Sequence, residues 1–233
     1  MIRAVHVVIP ARDEAALLPG CLRSVERARR VLRARRPELL LDVTVVLDTC
    51  VDGSALVVET AHVGSLVVDH GVVGATRHAG VRRAVRAASS LGIRADELWI
   101  ACTDADSVVP PHWLETQVDL AGAHDLVVGT VEPMGLADAA LLERWRERHE
   151  LAEGHAHVHG ANLGFLASTY VAVGGFEPVP LHEDVDLVRR IRAHTTRWVA
   201  TDSARVATSA RSHGRSPHGF SGYLADLADE EVG

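Results

Sequence analysis

Leu98-Trp99-Ile100-Ala101-Cys102-Thr103-Asp104-Ala105-Asp106-Ser107 is an apolar, strand-like run that ends in two aspartates one residue apart. Alternate side chains of an extended segment share a face, so Asp104 and Asp106 can converge on one divalent cation, and that cation can hold a diphosphate. On its own the pair says little. With 31 acidic residues in 233 a D-x-D is expected about once by chance, and Asp184 and Asp186 form a second. A solvated strand end is the plain alternative, and the neighbouring segments decide between the two.

Upstream of this run, strand-like and helix-like segments alternate. Residues 4–9 are β-branched and apolar, 14–36 have helical period, 41–47 read as a second strand and 53–61 as a short helix; 65–69 form a third strand, 76–88 a helix, and 98–102 the fourth strand. This order predicts a mostly parallel sheet with helices on both faces, in which ligands bind at the carboxyl ends of the strands. Asp13, Asp48 and Asp104 all fall at or just past such ends. Downstream, residues 111–123 and 137–153 read as helices around a strand at 125–131. A glycine-rich turn at 160–167 leads into a strand, and 184–193 reads as a helix. Residues 211–219 form a polar loop before a last amphipathic helix. The expectation is one unit over 1–233, with a nucleotide-binding half at about 1–110 and an acceptor-binding half with a C-terminal lid at about 111–233.

Composition narrows the function. A formal charge of -7 gives no electrostatic reason to bind nucleic acid, and 4% aromatic residues leave little for base stacking. No apolar run reaches the roughly 18 residues of a membrane span and no signal peptide is apparent, so a cytoplasmic protein is expected, with a homodimer left open. Cys21, Cys50 and Cys102 are scattered and read as buried thiols. All 24 basic residues are arginine, which removes lysine-dependent phosphate loops and Schiff-base chemistry. The arginine face at Arg23, Arg27, Arg30 and Arg33 reads as a solvated helix face, with contact to acidic lipid as the alternative.

Further motifs flank the strands. Pro10-Ala11-Arg12-Asp13-Glu14 follows the first strand and Asp48-Thr49-Cys50-Val51-Asp52-Gly53-Ser54 the second. Such carboxylates can accept hydrogen bonds from a base and from ribose hydroxyls, or can cap helices. Gly74 to Gly80 opens the third helix, where Arg77 can meet phosphate or base. The run His155-x-His157-x-His159 can bind a metal if extended; the other reading has His159 lining a pocket. Trp113 and Trp145 read as packing residues.

Taken in order, these segments resemble the family-2 glycosyltransferases of the GT-A fold. Pro10 to Glu14 is similar to the family's opening proline-to-acid motif, Asp48 to Ser54 to its second aspartate motif, and Thr103 to Ser107 to its metal-binding D-x-D. Arg77 to Gly80 is similar to its Arg-Asn-x-Gly segment, with His78 in place of asparagine. His159-Gly160-Ala161-Asn162-Leu163-Gly164-Phe165 looks like the acceptor segment, and Glu183-Asp184-Val185-Asp186-Leu187 like the motif that carries the base. The resemblance runs from about Val5 to Leu187. The Gln-x-x-Arg-Trp motif of processive synthases is missing, since Arg197-Trp198 lacks the glutamine.

The resemblance implies a GT-A-type, Rossmann-like α/β fold and transfer of a sugar from a nucleoside-diphosphate donor to a small-molecule or glycan hydroxyl, with inversion. Donor contacts fall to Pro10, Arg12, Asp13, Glu14, Asp48, Asp52, Arg77, Asp104, Arg211 and Arg215, and acceptor contacts to His159, Gly160, Ala161 and Asn162. Asp104 and Asp106 would hold Mn²⁺ or Mg²⁺, with His213, or else His218, from a late loop; Asp184, beside Glu183, would be the base. Two other readings stand. A nucleotidyltransferase would want a glycine-rich, lysine-bearing loop after the first strand, where this chain is acidic; a non-catalytic nucleotide-sugar binder would not need Glu183-Asp184.

Overall fold

A computed structural model describes residues 1–149 and 151–211. Its centre is β1 (Ala4–Ala11), whose eight residues are all buried, as expected of a strand covered on both faces. The sheet extends from β1 through β2 (Leu40–Asp48) to β3 (Gly64–Val68) on one side, and through β4 (Leu98–Cys102) on the other, all four strands parallel. Beyond β4 the direction changes. With β5 (Ser107–Val108), β6 (Leu126–Met134), β7 (Leu163–Leu166) and β8 (Trp198–Ser209), the order is β3-β2-β1-β4-β7-β6-β8-β5. β7 runs antiparallel to both β4 and β6, while β8 is parallel to β6.

Helices cover both faces, as the alternation of segments predicts. α1 (Leu18–Arg35) turns Leu18, Leu22, Val25 and Leu32 inward against Val7, Ile9 and Trp99, and leaves Arg23, Arg27, Arg30 and Arg33 exposed. α2 (Ser54–Thr60) packs Val58 on the same face, as does α4 (Trp113–Leu120) with the buried Trp113. The opposite face carries α3 (Val73–Ser90), α6 (Ala167–Ala172), with its buried Tyr170, and α7 (Glu183–His194) over Ile100 and Phe165. α5 (Ala139–Arg148) buries Leu141 and Trp145 in a separate small cluster. No helix among the described residues is long and apolar enough to cross a membrane.

Four elements differ from those read in the sequence. α1 starts at Leu18 because Glu14 to Leu17 form a turn, with the Leu17 and Leu18 N–H groups both donating to the Glu14 carbonyl. α5 is shorter than the 137–153 pattern; it opens on an Asp138 cap that accepts from the Ala140 and Leu141 N–H groups and closes at Arg148. The strand expected after the turn at 160–167 lies within that stretch, as β7 at Leu163–Leu166, and α6 follows it directly. β8 has no counterpart in the sequence pattern, because its twelve residues are rich in Thr, Ser and Asp and a bulge against Gly129 and Val131 breaks its alternation. The Cys21 and Cys102 thiols are buried; Cys50 is half-buried.

His6, inside β1, gives a pH test of the core. Its Nε2 lies 2.8 Å from Thr44 Oγ1, and burial pushes its pKa from 6.5 down to about 4 against the pull of Asp42. The unfolded chain therefore binds a proton between pH 6.5 and 4 that the folded chain refuses, so stability falls as pH drops through that window. Denaturant titrations at pH 7 and 4.5 are expected to show wild type losing on the order of 2 kcal/mol more than His6→Gln. Equal losses would mean that His6 charges freely in the fold.

Candidate active site

The carboxyl ends of β1, β2 and β4 open onto a cleft of about 460 Å³. Pro10, Arg12, Glu14, Asp48, Arg77, Asp104 and Asp106 line one side; His159, Gly160, Ala161 and the first turn of α7 line the other. Sequence separation between Asp104 and Glu183 is nearly eighty residues, and the antiparallel β7 is what closes it. Because β7 sits beside β4, the turn at Gly160–Asn162 that precedes it comes level with the D-x-D.

At the cleft floor lies Arg77, whose side chain is 4% exposed. Its Nη1 donates to Glu183 Oε1, and its Nη2 lies 2.5 Å from Asp104 Oδ1. Burial works against its charge, yet Asp104 and Glu183 hold the guanidinium protonated well above its ordinary value. Nε finds no partner among the described residues. Gly160 is the residue that makes room: a Cβ there would stand 2.5 Å from Arg77 Nη2 and 2.6 Å from Cζ. Glu183 is buried, which raises its pKa, with Arg77 opposing. Asp184 is aimed by two backbone donors, Gly160 N–H to Oδ2 at 2.7 Å and Val185 N–H to Oδ1 at 2.8 Å.

A second ion-pair group stands a few residues away. Arg211, carried in by the end of β8, donates both terminal nitrogens to Glu14 (2.8 and 2.6 Å) and lies 3.1 Å from Asp106 Oδ2. Burial pushes the Asp106 carboxyl up to about 6, Asp104 and Glu14 add to the rise, and Arg211 opposes it. The cleft thus carries six carboxylates, Glu14, Asp48, Asp104, Asp106, Glu183 and Asp184, together with Arg12, Arg77 and Arg211. Asp104 and Asp106 offer carboxylate oxygens, the donor type that a hard divalent cation such as Mn²⁺ or Mg²⁺ takes.

Not every residue expected at the site reaches it. Asp13 and Asp52 fasten the two loops to each other instead of lining the cleft. Asp13 accepts from the Val51 and Asp52 N–H groups, and Asp52 accepts from the Ala15 and Ser54 N–H groups. Asp13, Cys50 and Asp52 bring ligand atoms within 4.8 Å of one another, the one such group of metal-capable side chains among the described residues. Asp48 lines the cleft, but its oxygens accept from the His70 and Gly71 N–H groups and the Thr76 hydroxyl, and these bonds hold its pKa below the usual range against burial.

Asn162, expected to touch acceptor, is 2% exposed in the core. It accepts from Trp113 Nε1 and donates to the Thr130 and Ala204 carbonyls, tying β7 to its neighbours. The imidazoles at 155, 157 and 159 stack side by side at 6.2 Å and do not converge on a metal position. His159 lines the cleft, with burial lowering its pKa to about 4. His155 is buried against the Val128 carbonyl. His149 also lines the cleft and carried no motif that a reading of the sequence could use. Arg215, His213 and His218 lie outside the described residues.

The sequence profile of glycosyl transferase family 2 matches residues 6–158. The chain belongs to that family. The match spans the D-x-D and Arg77 and ends just before Gly160, well short of Asp184. A comparison with curated protein sequences returns no match. Among solved structures, this family-2 glycosyltransferase is similar to the S. aureus TarS fragment 1–349 in complex with UDP-GlcNAc (TM-score 0.66, 12% identity, covering 100% of this chain and 66% of that one). It is also similar to GalNAc-T7 with UDP, GalNAc and Mn²⁺ (0.64, 12%, 97% and 48%). A third is the mannosyltransferase PcManGT from Pyrobaculum calidifontis with GDP-Man and Mn²⁺ (0.61, 18%, 91% and 58%). The family-2 chain therefore spans between about half and two thirds of these structures, which share with it the GT-A fold.

Proposed function

We propose that this glycosyltransferase moves a sugar from a nucleoside-diphosphate donor to one hydroxyl of a discrete acceptor, with inversion, and that Asp104 and Asp106 hold Mn²⁺ or Mg²⁺ beside the diphosphate. The observation that carries this reading is the single cleft in which the D-x-D, the buried Arg77 and the Glu183-Asp184 pair meet. Pro10, Arg12 and Asp48 supply the nucleoside side of the cleft, and Arg211 stands beside the D-x-D as a second positive group. When bound, the cation neutralises charge that develops on the leaving diphosphate. Arg77 keeps Asp104 oriented for that task and leaves Asp184, not Glu183, as the carboxylate with lone pairs toward the cleft. Asp184 takes the proton of the acceptor hydroxyl as its oxygen attacks the anomeric carbon. The missing Gln-x-x-Arg-Trp motif supports discrete transfer over polymerisation.

The test is a thermal-shift and calorimetric panel of UDP-, GDP- and dTDP-sugars with and without Mn²⁺, since a ligand that binds only the folded state raises its stability. Stabilisation is expected with one nucleotide class and is expected to need the cation. Asp106→Ala is expected to weaken that binding by roughly tenfold to a hundredfold, the loss of one charged contact. Equal affinity in Mn²⁺ and in EDTA would remove the metal from the reading.

A further inference from the structure

A second concavity, a groove of about 730 Å³, runs between α1 and α2 and shares no lining residue with the cleft. Its apolar lining includes Leu22, Val57, Val63 and Leu56, the last 66% exposed. Arg23, Arg27 and Arg30 add three exposed guanidinium groups. Arg23 and Arg27 have no ion-pair partner among the described residues. The one carboxylate in the lining, Glu26, lies 3.0 Å from Arg29 and 3.9 Å from Arg30, so the groove keeps a positive edge beside apolar surface.

Residues 220–231, outside the described residues, have the complementary chemistry. Phe220, Tyr223, Leu224 and Leu227 recur at i, i+3, i+4 and i+7, the spacing of one apolar helix face. Asp226, Asp229, Glu230 and Glu231 add four negative charges, and no arginine follows Arg215. A segment of this pattern is the kind that lays its apolar face into a groove with a charged rim. The chain also delivers it to the right place. Arg211, the last described residue, is bonded to Glu14, and Pro19, in the lining of the groove, follows five residues later. Extended, residues 212–219 can span up to roughly 28 Å, against about 16 Å of helix from Pro19 to Arg30.

We propose that the groove between α1 and α2 is the docking site of residues 220–231 of the same chain, with the apolar face of that segment against Leu22, Leu56 and Val57 and its carboxylates toward Arg23 and Arg27. Other occupants fit the charges less well. Two copies meeting groove to groove would set arginine against arginine, and the formal charge of -7 works against an anionic membrane. Docking would hold residues 212–219, which include His213 and Arg215, by both ends: at Glu14 through Arg211, and on α1.

The test reads proximity in the full chain by NMR. A nitroxide is placed on α2 through Glu59→Cys in a Cys50→Ser background; Cys21 and Cys102 are buried and stay unlabelled. The backbone amide signals of residues 220–231 are expected to be lost to broadening and to return when the nitroxide is reduced. Arg23→Glu with Arg27→Glu is expected to bring the signals back in the presence of the nitroxide. Adding Asp226→Arg with Glu230→Arg is expected to remove them again, because the swapped charges attract as the original ones did. Tail signals that ignore the nitroxide, or a loss indifferent to the charge reversal, would overturn the proposal. Equal loss in a mixture of nitroxide-bearing chains with separate isotope-labelled chains would give the groove to the tail of a second copy and overturn docking within one chain. Undisturbed tail signals together with arginine-dependent pelleting on phosphatidylglycerol vesicles would give it to an anionic lipid surface instead.

Discussion

Asp184→Asn is expected to leave nucleotide-sugar affinity within about twofold of wild type while transfer falls by roughly 10² or more. The amide keeps the size of the carboxylate and its carbonyl oxygen still accepts the Gly160 N–H, so the turn opposite stays in place. What it loses is the capacity to take a proton, together with the second acceptor oxygen that Asp184 offers to the Val185 N–H. Single-turnover kinetics at saturating donor separate this from a binding defect, because KM for donor should not move. Full activity in the Asp184→Asn variant would transfer the role to Glu183, although that carboxylate is buried against Arg77 and would first have to release it.

Arg77→Met is expected to cost more in stability than any other single change at the site. It removes the one cation between Glu183, 7% exposed, and Asp104, 32% exposed, and breaking a buried pair from one side costs about 3–5 kcal/mol through the stranded charge. In a chain of this size that is a fall in Tm of roughly 6–15 °C. The double variant Arg77→Met with Glu183→Met is expected to recover part of the loss, since both charges are then gone. Gly160→Ala probes the same pocket from its other wall: a methyl 2.5 Å from the guanidinium displaces either Arg77 or the turn. Calorimetric unfolding of wild type and these variants, with Glu183→Met alone to complete the cycle, reads the result. An additive double variant would show that Arg77 and Glu183 do not depend on each other.

Most of the first half of the chain was legible in the sequence because each device there is local. An apolar run followed by an acidic turn marks a strand end, and the strands at 98–102 and 64–68 and the helix at 73–90 fall where period and composition put them. The roles of Asp13, Asp52 and Asn162 were not legible. A carboxylate that binds a loop amide and one that binds a ligand have the same sequence context, and only the position of the partner distinguishes them. β8 escapes a sequence reading for a related reason: a strand whose register is shifted by a bulge is held by its neighbour β6 and not by its own pattern. His149 escapes it because its place depends in part on a stack with His157 on another segment.

The Asn162 bonds have a consequence for how such a site can diversify. One turn of three residues has Gly160 on the cleft and Asn162 fixed in the core by Trp113, Thr130 and Ala204, while Gly129 leaves the space that the Asn162 amide occupies. A mutation that shifts this turn to suit a new acceptor must also unpick three buried hydrogen bonds, so the turn is an evolutionary fixed point. Among the described residues, 180–185 show no comparable tether: Pro180, His182 and Val185 are exposed, and the side-chain bonds of this stretch are those of Glu183 and Asp184. Lineages that share this chemistry but glycosylate different molecules are therefore expected to differ first along that short stretch, and to keep Gly160 and Asn162 unchanged.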